Sequence, residues 1–77
     1  MDGSDKKWMG TRPSKCEMCT IQNKTTDLSK FSYFVDGKTV YGYWAIMCPS
    51  CDGEFGVGYG LGLGQKYNMK TLVKMEG

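Results

Sequence analysis

The chain has 77 residues, of which 40% are hydrophobic and 23% are charged, and its formal net charge is +2. A chain of this length buries too little apolar surface to be stable by its core alone, which favours support from a metal ion, disulfides or a partner. The sequence contains no histidine, the commonest general base, and no apolar run that could span a membrane, which argues against most hydrolytic enzymes and against a membrane protein.

The first residues are polar and glycine-containing and show no periodicity, so we expect residues 1–11 to form a mobile arm. Trp8 stands out in this arm as a side chain that can dock or bind. The segment also lacks the apolar stretch of a signal peptide, and we therefore expect a reducing cytoplasm in which thiols stay free. Residues 12–77 are predicted to form a single zinc-stabilised β domain.

The cysteines form two C-x-x-C pairs, Cys16 with Cys19 and Cys48 with Cys51. In each pair one tight turn aims two sulfurs at a common point, and two such turns complete the tetrahedral site of a structural Zn²⁺. Four protein ligands leave no open position for a substrate, so the sequence predicts one structural zinc ion. Four thiolates and the ion together offset the formal charge of the chain, and any electrostatic role must then rest on local patches.

Two other uses of the cysteines stay open. A pair of disulfides would require an oxidising compartment. The turn formed by residues 48–51 also resembles the C-P-x-C turn of thiol–disulfide proteins, in which a cysteine of low pKa attacks a disulfide. The chain lacks the strand–helix–strand context of such proteins, so zinc remains the preferred interpretation.

The clearest secondary-structure pattern is a β-hairpin that follows a polar loop at residues 20–30. Residues 31–35 and 38–47 are aromatic and β-branched, and Asp36-Gly37 between them is typical of a type I′ turn. Both faces of this hairpin are apolar, so one face needs another strand or a partner to cover it. The second cysteine pair follows directly, and zinc would hold the open end of the hairpin.

A glycine occupies every second position from 56 to 64, which is the period of a β-strand. A strand there would have one bare side and one side of larger residues able to cover the hairpin, whereas an irregular loop is the alternative. Leu63 stands where the phosphate-binding pattern G-x-G-x-x-G requires glycine. Residues 67–75 fit a strand or a helix, and we favour a strand or a short irregular end. The predicted fold is a small, mainly β, zinc-ribbon-like domain with a central hairpin and a glycine-rich third strand or loop.

Three patterns occur together in this chain: Trp44-Ala45, Met47-Cys48 with Cys51, and the run from Gly56 to Tyr67. In combination they resemble a group of small, largely uncharacterised bacteriophage proteins with a zinc-ribbon-like paired C-x-x-C and a glycine-alternating tail. The resemblance covers about residues 16–67 and implies a viral or mobile-element origin in a bacterial cytoplasm. It implies no catalytic residue, and only the four cysteines carry over as site residues.

We expect a non-enzymatic binding module whose partner is a bacterial host protein of the transcription or defence machinery. The residues expected to contact that protein are Phe34, Tyr41, Tyr43, Met47 and Trp8. The alternative is a nucleic-acid-binding zinc ribbon, in which tyrosines stack on bases and phosphates are neutralised by Lys6, Lys7, Arg12, Lys15 and Lys66. Two copies can also pair through exposed strands and give a homodimer.

Overall fold

A computed structural model describes residues 7–77, which form a four-stranded antiparallel sheet with two short α-helices. The helices are α1 (Glu17–Ile21) and α2 (Pro49–Phe55), and the strands are β1 (Tyr33–Lys38), β2 (Trp44–Met47), β3 (Gly64–Asn68) and β4 (Lys74–Glu76). Their order across the sheet is β2-β1-β3-β4. The predicted small, mainly β, zinc-ribbon-like class is confirmed, because this sheet accompanies a buried cluster of the paired cysteines. Neither helix within residues 7–77 is long and apolar enough to cross a membrane.

The predicted hairpin is present as β1 and β2, but its turn does not lie at Asp36-Gly37. Both residues lie inside β1, where Gly37 is opposite Ala45 of β2 and Gly64 of β3. Because β1 pairs on both sides, the sheet keeps Asp36-Gly37 extended and overrides its local turn preference. The predicted strand boundaries at 31–35 and 38–47 are therefore wrong, and the register pairs Val35 with Met47.

The hairpin turn comprises residues 39–43 instead. Gly42 adopts φ +95°, a conformation that side-chain-bearing residues rarely take. Thr39 is buried and closes the turn, because its hydroxyl donates to the Tyr43 carbonyl at 2.9 Å while its backbone N–H donates to the same carbonyl at 2.8 Å. The turn thus projects Tyr41 and Tyr43 beyond the sheet.

The glycine run forms a loop, and the third strand begins only at its last glycine, Gly64. Gly60 adopts φ +129° and forms an isolated β-bridge with Gly64, so the run folds back on itself. In a strand, the side chains between the glycines could have covered the hairpin. In this loop they do not, and Leu61 is 98% exposed. Tyr59 is partly buried, and its hydroxyl donates to the Asp52 carboxylate of α2, which fastens the loop to that helix.

Two other segments are more ordered than the sequence indicates. Residues 67–75 contain the end of β3, a turn and the start of β4, which agrees with the favoured strand interpretation. Residues 20–30, predicted as a loop, contain the end of α1 and a 3₁₀ turn at Leu28–Lys30. Leu28 is fully buried and ties this segment to the core.

Two residues of the predicted arm at 1–11, Lys7 and Trp8, contact the sheet, and residues 1–6 lie outside the described range. Lys7 forms a β-bridge with Val73. The Trp8 ring packs edge-on against Phe34 and Tyr67, with 5.3 Å between the ring centroids in both pairs. Trp8 therefore covers the sheet face that carries Phe34 and Tyr67.

The helices pack on the other part of the sheet, α1 against β2 and α2 against both β1 and β2. Glu17 of α1 reaches the free side of β2, where its carboxylate Oε1 accepts the Ile46 backbone N–H at 2.7 Å. The core is small and sulfur-rich, and its fully buried large side chains are Phe34, Met18, Leu28, Met47 and Val35. Both faces of β1 are thus covered within one domain.

Candidate metal centre

The first cysteine pair is positioned by the start of α1. Cys16 is the N-cap of the helix, with an extended backbone, and Cys19 lies within its first turn. The Cys19 N–H donates to Cys16 Sγ at 3.4 Å, so the sulfur takes the place of the usual N-cap oxygen. This geometry turns both sulfurs toward the same point.

The second pair repeats the arrangement at the start of α2. Strand β2 ends at Met47, and Cys48 follows as the N-cap of a helix that begins with Pro49. Proline suits the first helical position because its ring fixes φ and its missing N–H would have no intrahelical partner there. Cys51 lies within the first turn, and the Cys48 N–H donates across to Cys16 Sγ at 3.2 Å. The two turns therefore interlock through the first cysteine.

All four cysteines are buried, and their sulfur atoms lie within 4.8 Å of one another. Cys19 Sγ is 3.9 Å from Cys48 Sγ and 3.6 Å from Cys51 Sγ. A tetrahedral ion with sulfur ligands at about 2.3 Å places those sulfurs about 3.8 Å apart, so the observed spacing fits such an ion. A disulfide would need about 2.05 Å, and all four cysteines are free. The cluster is a tetracysteine site suited to one metal ion.

Because the four sulfurs are buried close together, all of them can be thiolates only when a positive ion is bound. Burial raises the pKa of the Cys51 thiol, and the three neighbouring thiols raise it further. Burial also raises the pKa of Cys16, although the N–H groups of Cys19 and Cys48 act in the opposite direction. Four thiolates so close together repel one another, and a bound cation is the natural compensation.

Gln22 is a site residue that the sequence analysis missed. Its side-chain amide donates to the Met18 carbonyl at 3.0 Å and lies 3.9 Å from Cys51 Sγ. A side-chain donor beside a thiolate favours the charged sulfur and orients it. Its position three residues after Cys19, just beyond the end of α1, is the only sequence signal that could have indicated this role.

The structure separates the five aromatic and methionine residues that were expected to contact a partner. Phe34 and Met47 are fully buried, so they belong to the core and the prediction of a contact role for them is corrected. Trp8 is partly buried against the core. Tyr41 and Tyr43 remain at the surface, 64% and 42% exposed, and their rings stack at 6.1 Å.

The tyrosines belong to a larger surface that the sequence did not reveal. The Tyr41 ring lies 5.8 Å from the Phe55 ring of α2, and the side chain of Ile21 from α1 lines the same cleft. Val40 and Trp44 beside them are also exposed. We call this surface the aromatic tip; it consists of Ile21, Val40, Tyr41, Tyr43, Trp44 and Phe55.

Two of the basic residues proposed for nucleic-acid binding, Lys66 and Arg12, make contacts within the fold. Lys66 pairs with Glu76 at 3.0 Å and lies 4.4 Å from the centroid of the Tyr33 ring. Arg12 donates to the carbonyls of the β3–β4 turn. The other members of the set are Lys7 and Lys15, which are exposed in separate segments, and Lys6, which lies outside the described residues.

Comparison with protein-family models, curated protein sequences and solved structures finds no match to this chain. The site is therefore interpreted from its own geometry. Four converging buried sulfurs form a closed environment suited to a metal ion, and both helices that carry them also contribute a residue to the aromatic tip.

Proposed function

We propose that this protein is a non-enzymatic binding module in which one structural Zn²⁺ supports an aromatic surface that contacts a protein partner. The observation that carries the proposal is the aromatic tip, where large apolar side chains are exposed beside the metal centre. Single exposed apolar residues are normal on protein surfaces, whereas contiguous patches mark interaction sites.

Zinc is the ion that the donor set favours. Four thiolates are soft ligands, and Zn²⁺ accepts them in a tetrahedron without any preference imposed by d-electrons. The sulfur spacings of 3.6 and 3.9 Å support this choice. With all four positions filled by protein, the ion has no place for a substrate, and its contribution is to hold two helices and the end of a hairpin together.

The aromatic tip is arranged in a way that suits association. Tyr41 and Tyr43 stack with an angle of 16° between their rings, and the Tyr43 hydroxyl contacts Met18 Sδ at 3.6 Å. Rings that are already ordered lose little further conformational freedom on binding, which preserves affinity. Aromatic residues are enriched among the residues that dominate binding energy at protein interfaces.

The metal centre and the aromatic tip are parts of one assembly. Ile21 ends the helix that starts at the first cysteine pair, and Phe55 ends the helix that starts at the second. The Val40 N–H donates to the Phe55 carbonyl at 2.7 Å, which joins the hairpin turn to α2. Three elements thus meet at the tip, and two of them are oriented by the cysteine pairs.

The charges beside the tip favour protein over nucleic acid. Among residues 7–77, the lining of the cleft next to Tyr43 and Trp44 contains one cation, Lys15, and one carboxylate, Glu17. A surface that tracks a phosphate backbone needs an excess of positive charge, and a balanced pair does not supply it. The resemblance to bacteriophage proteins makes a bacterial host protein in the cytoplasm the partner to test first.

The decisive experiment compares capture by three forms of the zinc-loaded protein from nuclease-treated bacterial lysate. Wild type is expected to retain a defined protein at near-equal amount, and the double variant Tyr41→Ser/Tyr43→Ser should retain at least about tenfold less. Leu61→Ser is the matched control, because Leu61 is 98% exposed but lies outside the tip. Circular dichroism and metal content must be equal for the three forms.

Two outcomes would contradict the proposal. Equal capture by wild type and the tyrosine variant would show that the tip is not the contact surface. Proteins captured from untreated lysate but absent after nuclease treatment, with strong weakening of the interaction by salt, would make nucleic acid the ligand.

A further inference from the structure

A second surface, separate from the aromatic tip, has the composition of a ligand site. A cleft of about 680 Å³ lies between the β3–β4 turn and the segment that precedes β1. Ligand clefts in proteins are typically about 300–1,000 Å³, so this volume can hold a small organic molecule. The side chains that matter for its chemistry are Arg12, Ser29, Phe31, Ser32, Lys70 and Thr71.

Arg12 is fixed in this cleft by the backbone. Its Nε donates to the Met69 carbonyl at 3.0 Å, and its Nη2 donates to the Lys70 carbonyl at 3.0 Å. A guanidinium has five N–H groups, and these two bonds leave others for a ligand. Arg12 forms no salt bridge with a carboxylate of residues 7–77; the salt bridge in that part of the chain joins Lys66 to Glu76. Its charge is therefore held in place without being neutralised there.

The turn that carries Lys70 is equally well defined. The side-chain oxygen of Asn68 accepts the N–H groups of Lys70 at 2.8 Å and Thr71 at 2.9 Å. Such an Asx turn fixes the backbone from which both side chains project. Lys70 is exposed, and its flexible side chain can bring the ammonium group toward a ligand held by Arg12.

The remaining lining completes a site of mixed character. Ser29, Ser32 and Thr71 supply hydroxyl groups, and the lining contributed by residues 7–77 includes two cations and no carboxylate. Phe31 is partly buried against the core and lines the cleft. Positive charge with hydroxyl donors suits a phosphate, and an aromatic face beside them suits a planar base.

We propose that this cleft binds a nucleoside phosphate, with the phosphate on Arg12 and Lys70 and the base against Phe31. The ligand is either a free mononucleotide or one nucleotide of a single strand, since both present the same group. The site shares no residue with the aromatic tip, so it can succeed or fail independently of the function proposed above.

The test is a titration of the zinc-loaded, ¹⁵N-labelled protein with AMP, followed by NMR. We expect shifts of the backbone amides of Ser32, Lys70 and Thr71 and of the Arg12 side-chain N–H. Lys70→Gln should weaken AMP binding about tenfold, because it removes one charge-assisted contact to the phosphate. Lys24→Gln is the control, since it removes the same charge from an exposed residue outside the cleft.

A parallel titration with a single-stranded hexanucleotide identifies the source of the ligand. Much tighter binding of the hexanucleotide through the same amides supports a strand, and equal affinity per nucleotide supports a free mononucleotide. The proposal is overturned if neither ligand shifts these amides at about 10 mM, or if Lys24→Gln weakens binding as much as Lys70→Gln.

Discussion

Lys66 is a basic residue of β3 whose ammonium group is held by contacts within the fold. In the sequence it is one of several lysines available to phosphate, but its ammonium group pairs with Glu76 and lies over the rings of Tyr33 and Tyr59. The hydrogen bond with Glu76 raises the pKa of Lys66 and keeps its charge. The pairing arises from the β3–β4 register, which no pattern in the sequence specifies, so this contact could not have been predicted.

Replacing Asp36 or Asp27 by asparagine is predicted to change the free energy of unfolding in opposite directions. Burial raises the pKa of Asp36, and the charge of Glu17 adds to the rise, so the folded protein holds this proton more tightly than the unfolded chain. That contribution favours folding at low pH and is lost as pH rises through the raised pKa. At pH 7 the ionised Asp36 therefore destabilises the fold, and Asp36→Asn is expected to increase the free energy of unfolding.

Asp27 is the matched control for this prediction. The Ser29 backbone N–H lowers the pKa of Asp27, so its contribution is present above the unfolded pKa and is lost as pH falls. Asp27→Asn should therefore destabilise the protein at pH 7, which denaturant unfolding of the zinc-loaded variants can measure. Changes of the same sign in both variants would contradict this interpretation.

The four cysteines are the part of the site that the sequence predicts best. Their C-x-x-C spacing is short enough that local turn geometry alone brings each pair together. Gln22 could not be predicted from this spacing. Phe55 and Ile21 could not be predicted either, because they reach the aromatic tip through helices whose directions depend on the assembled centre. Residues that act through local geometry were found, and residues that act through tertiary geometry were missed.

At the scale of elements, the hairpin turn and the glycine run show where local patterns fail. Asp36-Gly37 has the residues of a type I′ turn, yet it lies in a strand paired on both sides. Gly42, a few residues later, forms the turn without any dipeptide of that type. The existence of a hairpin followed from its apolar strands, while its register depended on β3, which comes later in the chain.

Gly64 provides a prediction for an element contact. A Cβ atom at this position would lie 3.0 Å from the Gly58 carbonyl oxygen and 3.1 Å from Gly37 Cα, and both neighbours are backbone. Gly64→Ala would force β1 and β3 apart, and we expect a loss of about 2 kcal/mol or more in the free energy of unfolding. Thermal and denaturant unfolding of the zinc-loaded variant measure this loss.

Gly53 is the control for this substitution. It lies in α2, and a Cβ atom at this position would meet only open space. Gly53→Ala should therefore stabilise the protein by up to about 1 kcal/mol, because alanine has the higher helix propensity. If Gly64→Ala is tolerated as well as Gly53→Ala, the close approach of β1 and β3 is not required for folding.

On the scale of the whole molecule, the metal centre links parts of the chain that are distant in sequence. Cys16 and Cys19 come before the sheet, and Cys48 and Cys51 follow β2. Structural zinc can contribute roughly 10–16 kcal/mol near neutral pH, which is comparable to the roughly 5–15 kcal/mol stability of a typical domain. We therefore expect the small, sulfur-rich core to need a bound metal ion to remain folded.

Removal of the metal is accordingly expected to unfold the protein. Elemental analysis should give one zinc ion per chain, and a strong chelator should abolish the dispersed NMR spectrum, which should return when zinc is added back. A thiol reagent should react slowly before chelation and with all four cysteines afterwards. Four thiols that react readily in a folded, metal-free protein would contradict the zinc assignment, and a disulfide would support the thiol–disulfide alternative.

The contact between Glu17 and Ile46 has a consequence for the behaviour of the protein at high concentration. Strand β2 is an outer strand of the sheet, and an uncovered outer strand can recruit another chain into an extended sheet. The Glu17 carboxylate occupies the Ile46 N–H and brings negative charge to that position, which opposes such recruitment. Because Glu17 lies between the two cysteines of the first pair, a metal ion bound by them would also hold this carboxylate where it opposes aggregation.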